Sequence, residues 1–184
     1  EVEHTYPFSS KVKQMSTVVR VSSDGAEAED GDRKGKGKGK SGFPRVHVKG
    51  ASEIVAARCT SMLTPDGEIT EITKARRAEI DALINSYASS ALRTIGIAYV
   101  DLPDESRDWE TCPPDDVALT LIGIVGIEDP LRPEVPDAVA QCARAGIVVR
   151  MVTGDNAVTG GSIAKQCGIY DPARGHTVLE GPAF

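Results

Sequence analysis

The sequence has no apolar run long enough to cross a lipid bilayer. Residues 117–127 form its longest nearly uncharged apolar stretch, far short of the about 20 residues that a spanning helix needs. Basic residues are also in deficit, because 27 Asp and Glu outnumber 21 Lys and Arg and give a formal charge of −6. A nucleic-acid-binding surface requires the opposite imbalance. The composition therefore predicts no membrane span in these residues and no nucleic-acid partner.

The cysteines lack the spacing of a metal site or a disulfide framework. Cys59, Cys112, Cys142 and Cys167 are far apart, with no Cys-x-x-Cys and no nearby histidine pair, so they are interpreted as thiols in a reducing compartment. The chain also begins without methionine and without a signal region of basic and then apolar residues. These features predict a cytosolic piece of a longer protein.

Residues 22–41 have almost no apolar side chains. Acidic residues fill the first half of this segment, and basic residues alternate with glycine in the second half, with no aliphatic side chain larger than alanine. Such a segment buries too little surface to offset the entropy lost on ordering. We predict a disordered charged loop, and the alternative is a regulatory arm that contacts acidic lipid or protein surfaces.

Hydrophobic periodicity predicts strands alternating with helices on both sides of this loop. A β-branched run with alternating polarity is typical of a strand, and apolar residues three and four apart are typical of a helix. The predicted strands are residues 16–21, 45–50, 93–100, 117–127 and 147–152. The predicted helices are residues 52–59, capped by Ser52, then 70–91, 133–146, and a last helix that ends near Gly168.

The last predicted strand runs into the turn Thr153-Gly154-Asp155-Asn156, which a helix follows. A buried strand between helices indicates a βαβ-type unit, in which ligands bind beyond the carboxyl ends of strands. Gly154 lets the backbone approach a phosphate, the Thr153 hydroxyl is a donor, and the helix N-terminus favours an anion. The alternative is that Asp155 and Asn156 are ordinary helix caps.

Read in chain order, several short motifs together resemble the P-type cation-transporting ATPases. They are residues 8–16 (FSSKVKQMS), 48–53 (VKGASE), 92–94 (LRT), 129–133 (DPLRP) and 151–156 (MVTGDN). Within that family, three segments are most similar to the plasma-membrane-type calcium pumps, namely residues 49–53 (KGASE), 133–138 (PEVPDA) and 179–181 (LEG). The resemblance covers nearly the whole chain apart from the charged loop.

The resemblance implies a chain of two parts with mixed α/β and α+β architecture. Residues 1–125 would be a nucleotide-binding domain, with an antiparallel-rich sheet backed by helices and with the disordered loop 22–41 inside it. Residues 126–184 would be the hinge and part of a phosphorylation domain of the haloacid-dehalogenase-like, Rossmann-like type.

The resemblance also assigns residues to a nucleotide pocket. The aromatic residue that matches Phe8 stacks on adenine, the residues that match Lys13, Lys49 and Gly50 line the pocket, and the arginine that matches Arg93 meets the phosphates. An aromatic face suits a purine, and basic side chains suit a polyphosphate. Alternatively, Phe8 belongs to a core, Lys49 ends a solvated strand, and Arg93 interacts with a helix dipole.

Further residues are assigned to the phosphate end of the nucleotide. Asp129 and Arg132 match the hinge and would approach the phosphates on domain closure. Thr153 matches the hydroxyl that binds the phosphoryl group, and Gly154 and Asp155 would lie beside the nucleotide.

Pro133 argues against a second interpretation, in which Asp129 is a nucleophile of the haloacid-dehalogenase type. Asp129 follows an apolar strand, as a nucleophilic aspartate would, but Pro133 stands where that motif has Thr or Val.

Two glycines mark a departure from the family. Gly160 and Gly161 fall inside the last helix, where the family favours alanine, and each costs about 1 kcal/mol of helix stability.

The implied parent protein is a calcium pump that uses ATP and Mg²⁺ and forms an aspartyl phosphate. The phosphorylated aspartate, most Mg²⁺ ligands and the transmembrane helices would lie outside these residues, which contain no metal site of their own, so the fragment alone is predicted to be inactive. It would lie at the cytoplasmic face of a plasma or calcium-store membrane. Calmodulin is left open as a partner, without support here. The alternatives are a soluble phosphatase of the haloacid-dehalogenase type and a non-catalytic nucleotide-sensing module.

Overall fold

The computed structural model of the chain describes residues 1–22, 42–103, 108–110 and 117–183. In this part of the chain, four of the five predicted strands and all four predicted helices are present with shifted ends, and three strands that were not predicted lie at Val2–Ser9, Cys59–Leu63 and Ile69–Glu71. The strands are β1 (Val2–Ser9), β2 (Gln14–Val21), β3 (Phe43–Ala51), β4 (Cys59–Leu63), β5 (Ile69–Glu71), β6 (Arg93–Asp101) and β7 (Leu119–Ile127). The helices are α1 (Ser52–Arg58), α2 (Lys74–Ser89), α3 (Val135–Arg144) and α4 (Ala157–Gln166), with short 3₁₀ turns at Pro172–Arg174 and Gly181–Ala183.

The strands form a seven-stranded sheet in the order β1-β2-β3-β6-β7-β4-β5. The pairs β1–β2, β2–β3 and β4–β5 are antiparallel, and the pair β4–β7 is parallel. The prediction of a mixed fold with a largely antiparallel sheet and accompanying helices is therefore confirmed.

The described chain divides into two compact units. Unit 1 contains Glu1–Thr73 and Gly96–Gly123, and unit 2 contains Lys74–Ile95 and Ile124–Phe184. The sequence-based domain boundary near residue 125 stays a prediction.

Unit 1 is organised by the alternation of side chains along β2 and β3. Ser16 and Val18 on β2 are buried, and their register partners Val48 and Val46 on β3 are buried as well. Successive side chains of a strand face opposite sides of the sheet, so these four residues share one covered face. Gly96 on β6 leaves room for α1, because a Cβ there would stand 3.0 Å from Cβ of Val55.

Unit 2 contains a pair of packed helices, α2 and α4. Ile80, Ile84 and Ala88 form a buried stripe on α2 at intervals of four residues, as helical geometry requires for residues on one face. The end of α3 is also as predicted, since Gly146 adopts a left-handed φ of 74° after the last turn.

Two predicted helix starts are wrong. Ser52 lies inside the first turn of α1 and is fully buried, the preceding residue is Ala51, and no side chain caps this helix. Residues 70 and 71 belong to β5 because they pair with β4, and α2 begins only at Lys74. Helical periodicity alone would place residues 70 and 71 in α2. Pairing with β4 instead provides hydrogen-bond partners for their backbone N–H and C=O groups.

The predicted strand at residues 147–152 is also wrong. Among the described residues no strand pairs with this segment, and the side chain of Val152 is 96% exposed. An apolar run becomes a strand only where a neighbour supplies backbone donors and acceptors. The buried βαβ-type unit expected here is therefore not formed in the described chain.

Two predictions concern residues outside the described part of the chain. The charged loop expected at residues 22–41 lies, apart from residue 22, outside that part, as does Cys112.

No helix among the described residues combines the length and the apolar character of a bilayer span.

Leu119 tests the importance of buried apolar side chains in unit 1. Its side chain is 1% exposed, whereas Ile122 on the same strand is 41% exposed. We expect Leu119→Ala to lower the free energy of unfolding by about 2–5 kcal/mol. The matched change Ile122→Ala should cost under about 1 kcal/mol. Urea unfolding followed by circular dichroism measures both, and equal losses would contradict the assigned burial.

Candidate functional site

In unit 1, three of the sequence-predicted residues lie at neighbouring strand ends. Ser9 at the end of β1 pairs with Gln14 at the start of β2, and Gln14 pairs with Gly50 near the end of β3. Phe8 and Lys13 adjoin the first of these pairs, and Lys49 adjoins the second. The side chain of Phe8 is 61% exposed, and Lys49 is exposed as well. The alternative in which Phe8 belongs to a core is therefore wrong in this structure.

The conformation of Lys13 is fixed by the backbone around it. Its φ of 52° lies in the left-handed region, which few residues other than glycine adopt. Its N–H donates to the carbonyl of Ser9 at 2.7 Å, and its own carbonyl accepts from the N–H of Ala51 at 2.9 Å. The β1–β2 turn is thus held against the end of β3.

Gly50 has a packing reason to be glycine. A Cβ at this position would stand 2.4 Å from the carbonyl oxygen of Lys13 and 2.6 Å from Cα of Gln14. No side chain fits there without moving the backbone, so Gly50 allows the close approach of β2 and β3. Its direct role in ligand binding stays a prediction.

The exposed face of β3 carries a row of basic and aromatic side chains. Arg45 binds the carboxylate of Asp101 through two hydrogen bonds of 2.5 and 2.8 Å, and its guanidinium lies 4.6 Å from the ring centre of Tyr99. Partial burial, with the charge of Arg45 as the second cause, lowers the pKa of His47 despite the opposing charge of Asp101. The lowered pKa favours the neutral imidazole of His47 at pH 7. Lys49, the next exposed residue on this face, is a cation close to the end of the strand.

In unit 2, residues from three separate motifs come together. Nε of Arg93 lies 3.2 Å from Oδ1 of Asp155, and Nη2 of the same guanidinium lies 3.4 Å from Oδ2. Asp129 approaches from another side, with its Oδ2 at 3.7 Å from Nη2. The Arg93 side chain is 51% exposed and the Asp155 side chain 18%. We call Arg93, Asp129, Thr153 and Asp155 the arginine cluster.

Thr153 and Asp155 form a compact turn within this cluster. The Thr153 hydroxyl donates to Oδ2 of Asp155 at 2.9 Å, and it accepts the N–H of Asp155 at 3.1 Å. Asn156 then caps α4, because its side-chain oxygen accepts the N–H of Thr159 at 2.9 Å. The prediction of an ordinary helix cap is confirmed for Asn156, while Asp155 instead pairs with Arg93.

The glycines in α4 lie where the helix closely approaches its surroundings. Gly160 is buried, and a Cβ on it would stand 3.0 Å from Cγ2 of Thr153. The glycine therefore gives space to a member of the arginine cluster. Gly161 is buried too, and a Cβ there would make an ordinary contact with Val178 at 3.5 Å.

Two other predicted residues are not drawn into the cluster. Arg132 is exposed, and its described hydrogen bond is through the backbone, where its carbonyl accepts from Val135. Gly154 is exposed, and a Cβ on it would meet nothing within 4 Å. The Gly154 backbone is therefore accessible to a ligand, and a side chain at this position would clash with nothing in this structure.

The described residues do not present a ligand set for Mg²⁺. No group of three or more His, Cys, Asp or Glu side chains is placed around a common point in the described part of the chain. The carboxylates of Asp129 and Asp155 are each paired with Arg93. A hard divalent cation requires several oxygen ligands, which these two paired carboxylates do not supply.

Comparison with known proteins shows the family of the chain. A family model described as the P-type ATPase cytoplasmic domain N matches residues 1–134. The chain is 46% identical over its whole length to a protein of Dictyostelium discoideum named calcium-transporting ATPase PAT1. It is 42% identical over 97% of its length to human plasma membrane calcium-transporting ATPase 4. A rice protein named calcium-transporting ATPase 7, plasma membrane-type, is 41% identical over 94% of the chain.

The chain belongs to the P-type ATPase family. It spans only a small part of these relatives, 14% of the Dictyostelium protein, 13% of the human protein and 17% of the rice protein. The family resemblance drawn from the motifs is therefore confirmed.

Sequence reasoning missed two residues that shape this part of the P-type ATPase fold. Met15 pairs with Lys49 across β2 and β3, which the two separate motifs do not reveal. Thr159 is 1% exposed, and its hydroxyl contacts the residue before Arg93. Its position three residues after a predicted cap is the one signal that pointed to the first turn of a helix.

The cap of α4 provides a test of the turn that carries Thr153 and Asp155. Asn156→Ala removes the oxygen that accepts the N–H of Thr159, and a lost N-cap costs about 0.5–2 kcal/mol. We expect faster amide hydrogen exchange in the first turn of α4, with Thr159 affected most. Asn156→Asp keeps an acceptor and should exchange like the wild type, and unchanged rates in both variants would contradict the cap.

Proposed function

We propose that the chain binds adenine nucleotide as the cytoplasmic nucleotide-binding part of a calcium-transporting P-type ATPase. The observation that carries the proposal is the arginine cluster, in which Arg93, Asp129 and Thr153-Asp155 converge although they are far apart in sequence. Motif order and relatives named calcium-transporting ATPases support the same conclusion.

In unit 1, the adenine base is proposed to bind at the strand ends around Phe8. An exposed aromatic ring offers a face for stacking on a purine. Lys49 is exposed nearby on β3, and the left-handed turn at Lys13 is held in place by Ala51. Lysine acts on a phosphate as a mobile point charge, so two lysines at this edge favour an anionic ligand.

In unit 2, the arginine cluster is proposed to bind phosphate. A guanidinium matches the geometry of phosphate oxygens, and Arg93 is about half exposed. Phosphate oxygens and the carboxylates of Asp129 and Asp155 compete for the same N–H groups. The bound state therefore requires a rearrangement of these carboxylates, while the Thr153 hydroxyl and the accessible Gly154 backbone are further donors for phosphate.

The residues after the sheet are proposed to be the hinge and part of a haloacid-dehalogenase-like phosphorylation domain, with Asp129 and Arg132 at the hinge. Ile147, Val148 and Val152 expose apolar side chains outside any strand of the described residues. They support this proposal because an apolar run of this kind is typical of a strand in a parallel sheet covered on both faces, and the further strands of such a sheet would come from the parent protein. The parent would transfer the γ-phosphoryl group of ATP to an aspartate outside this chain and move Ca²⁺ across a membrane, with the chain on its cytoplasmic face. The proposal that the parent uses ATP and Mg²⁺ rests on its membership of the P-type ATPase family.

The alternatives from the sequence are not favoured. A soluble phosphatase requires its own nucleophile, and Asp129, the candidate, is paired with Arg93 and has Pro133 four positions on, where that motif has Thr or Val. A free-standing nucleotide sensor has no specific observation in its favour, whereas a relative that matches the whole chain is named a calcium-transporting ATPase.

Lys49 tests nucleotide binding by unit 1. We expect ATP added to the 184-residue chain to shift the NMR signals of Phe8, Lys13 and Lys49. Lys49→Ala should weaken ATP binding by about 1–3 kcal/mol, the range for a lost hydrogen bond to a charged group. Lys74→Ala removes the same charge from an exposed position on α2 and should have little effect. ATP-induced shifts that leave these three residues untouched would contradict the proposal.

Arg93 tests phosphate binding by unit 2. Inorganic tripolyphosphate contains the phosphate chemistry of ATP without the base, so its binding does not depend on stacking at Phe8, and the loss caused by an Arg93 variant reports the share of the arginine cluster. We expect Arg93→Gln to weaken its binding, measured by calorimetry, by about 1.5–3 kcal/mol. Arg144→Gln, an equal charge change at the end of α3, is the control. Equal losses in the two variants would show that only net charge matters.

A further inference from the structure

Thr159 on α4 is buried, and its hydroxyl binds a backbone carbonyl of a distant segment. The side chain is 1% exposed, and the hydroxyl donates to the carbonyl of Leu92 at 3.3 Å. Leu92 directly precedes Arg93. The first turn of α4 is therefore joined to the residue immediately before Arg93, whose guanidinium is the centre of the arginine cluster.

Leu92 is held in place by other contacts as well. Ala91 turns the chain out of α2 with a left-handed φ of 62°, and the N–H of Leu92 donates to the carbonyl of Tyr87 at 3.0 Å. Its side chain packs on Gly126, where a Cβ would stand 2.9 Å from Cδ1 of Leu92. The Thr159 hydroxyl binds the carbonyl, which belongs to the peptide unit shared with Arg93.

Both ends of the Arg93–Asp155 ion pair thus depend on the start of α4. Asp155, which pairs with Arg93, immediately precedes Asn156, the cap of this helix. The side-chain oxygen of Asn156 accepts the N–H of Thr159. The same residue donates its hydroxyl toward the backbone before Arg93. A long, half-exposed arginine loses much side-chain entropy when it binds a ligand. A backbone held in one position at Arg93 lowers that entropy cost and therefore favours ligand binding.

We propose that Thr159 is a positioning residue that sets Arg93 for phosphate binding by holding the Leu92 carbonyl. The ligand, a polyphosphate, rests on the proposed function, but the positioning of Arg93 is a property of the free chain. Thr159 does not touch the ligand. Its effect is transmitted through one backbone hydrogen bond to a side chain that does.

Ser162 provides a matched control on the same helix. Its hydroxyl donates to the carbonyl of Ser89 at 2.8 Å, which also lies at the end of α2. Ser89 is four residues before Arg93, beyond the left-handed turn at Ala91. Loss of the Ser162 hydroxyl therefore weakens the contact between α2 and α4 without releasing the peptide unit next to Arg93.

The first measurement needs no ligand. The Nε–Hε NMR signal of Arg93 in the free 184-residue chain reports the environment of the guanidinium beside Asp155. We expect Thr159→Val, which keeps the shape but removes the hydroxyl, to move this signal toward that of a solvent-exposed arginine. Thr159→Ser keeps the hydroxyl and should restore the wild-type position, and Ser162→Ala should leave it there. An unchanged Arg93 signal in Thr159→Val would overturn the proposal.

The second measurement is tripolyphosphate affinity. Thr159→Val should weaken binding about threefold to tenfold, the net effect of one hydrogen bond, and Thr159→Ser should bind like the wild type. In an Arg93→Gln background, Thr159→Val should have no further effect, since both changes act through one side chain. Additive losses would mean that Thr159 has a general structural role and would contradict positioning.

The design separates failure of this inference from failure of the proposed function. If the wild-type chain binds no tripolyphosphate, the proposed phosphate site is wrong, and the Arg93 signal alone still decides whether Thr159 positions that side chain. If Thr159→Val does not fold, Thr159→Ala removes the same hydroxyl with less steric demand in the buried site. A wild-type Arg93 signal in Thr159→Ala would likewise overturn the proposal.

Discussion

Main-chain hydrogen bonding between segments distant in the chain is the constraint on which this structure depends. The β2–β3 ladder is continuous over both strands, and it closes at Gly50 because no Cβ stands between the two backbones. That close approach puts the turn carrying Lys13 against the end of β3, where Lys49 is exposed. Residues 147–152 show the converse, because without a paired strand among the described residues their apolar side chains stay exposed.

The arginine cluster in unit 2 is an exposed ion-pair network and not a source of stability. Surface pairs such as Arg93–Asp155 contribute little to folding, typically under about 1 kcal/mol. Their physical importance lies in orientation, since the carboxylates of Asp129 and Asp155 hold the Arg93 guanidinium. In the function proposed above, a phosphate would have to displace these carboxylates, which favours a polyanion that carries more charge than a single carboxylate.

Much of the local structure was predictable because it depends on nearest neighbours along the chain. The buried stripe of α2, the alternation on β3 and the cap at Asn156 all follow from residues within a few positions of one another. The helix start was misplaced at residues 70 and 71 because their pairing with β4 is a long-range effect. Ser52 was misread for a related reason, since burial rather than capping fixes its place in α1.

The family, four of the strands and all four helices could be read from the chain alone, because motifs, hydrophobic periodicity and side-chain chemistry are local. Which of the predicted site residues contact one another depends on the tertiary structure. Arg93 is paired with Asp155 and Asp129, Arg132 is not part of that cluster, and Thr159 joins α4 to the residue before Arg93. The contacts of Arg93 with Asp155 and of Thr159 with Leu92 each join segments more than sixty positions apart. Sequence spacing does not encode such contacts, because only folding of the chain brings the segments together.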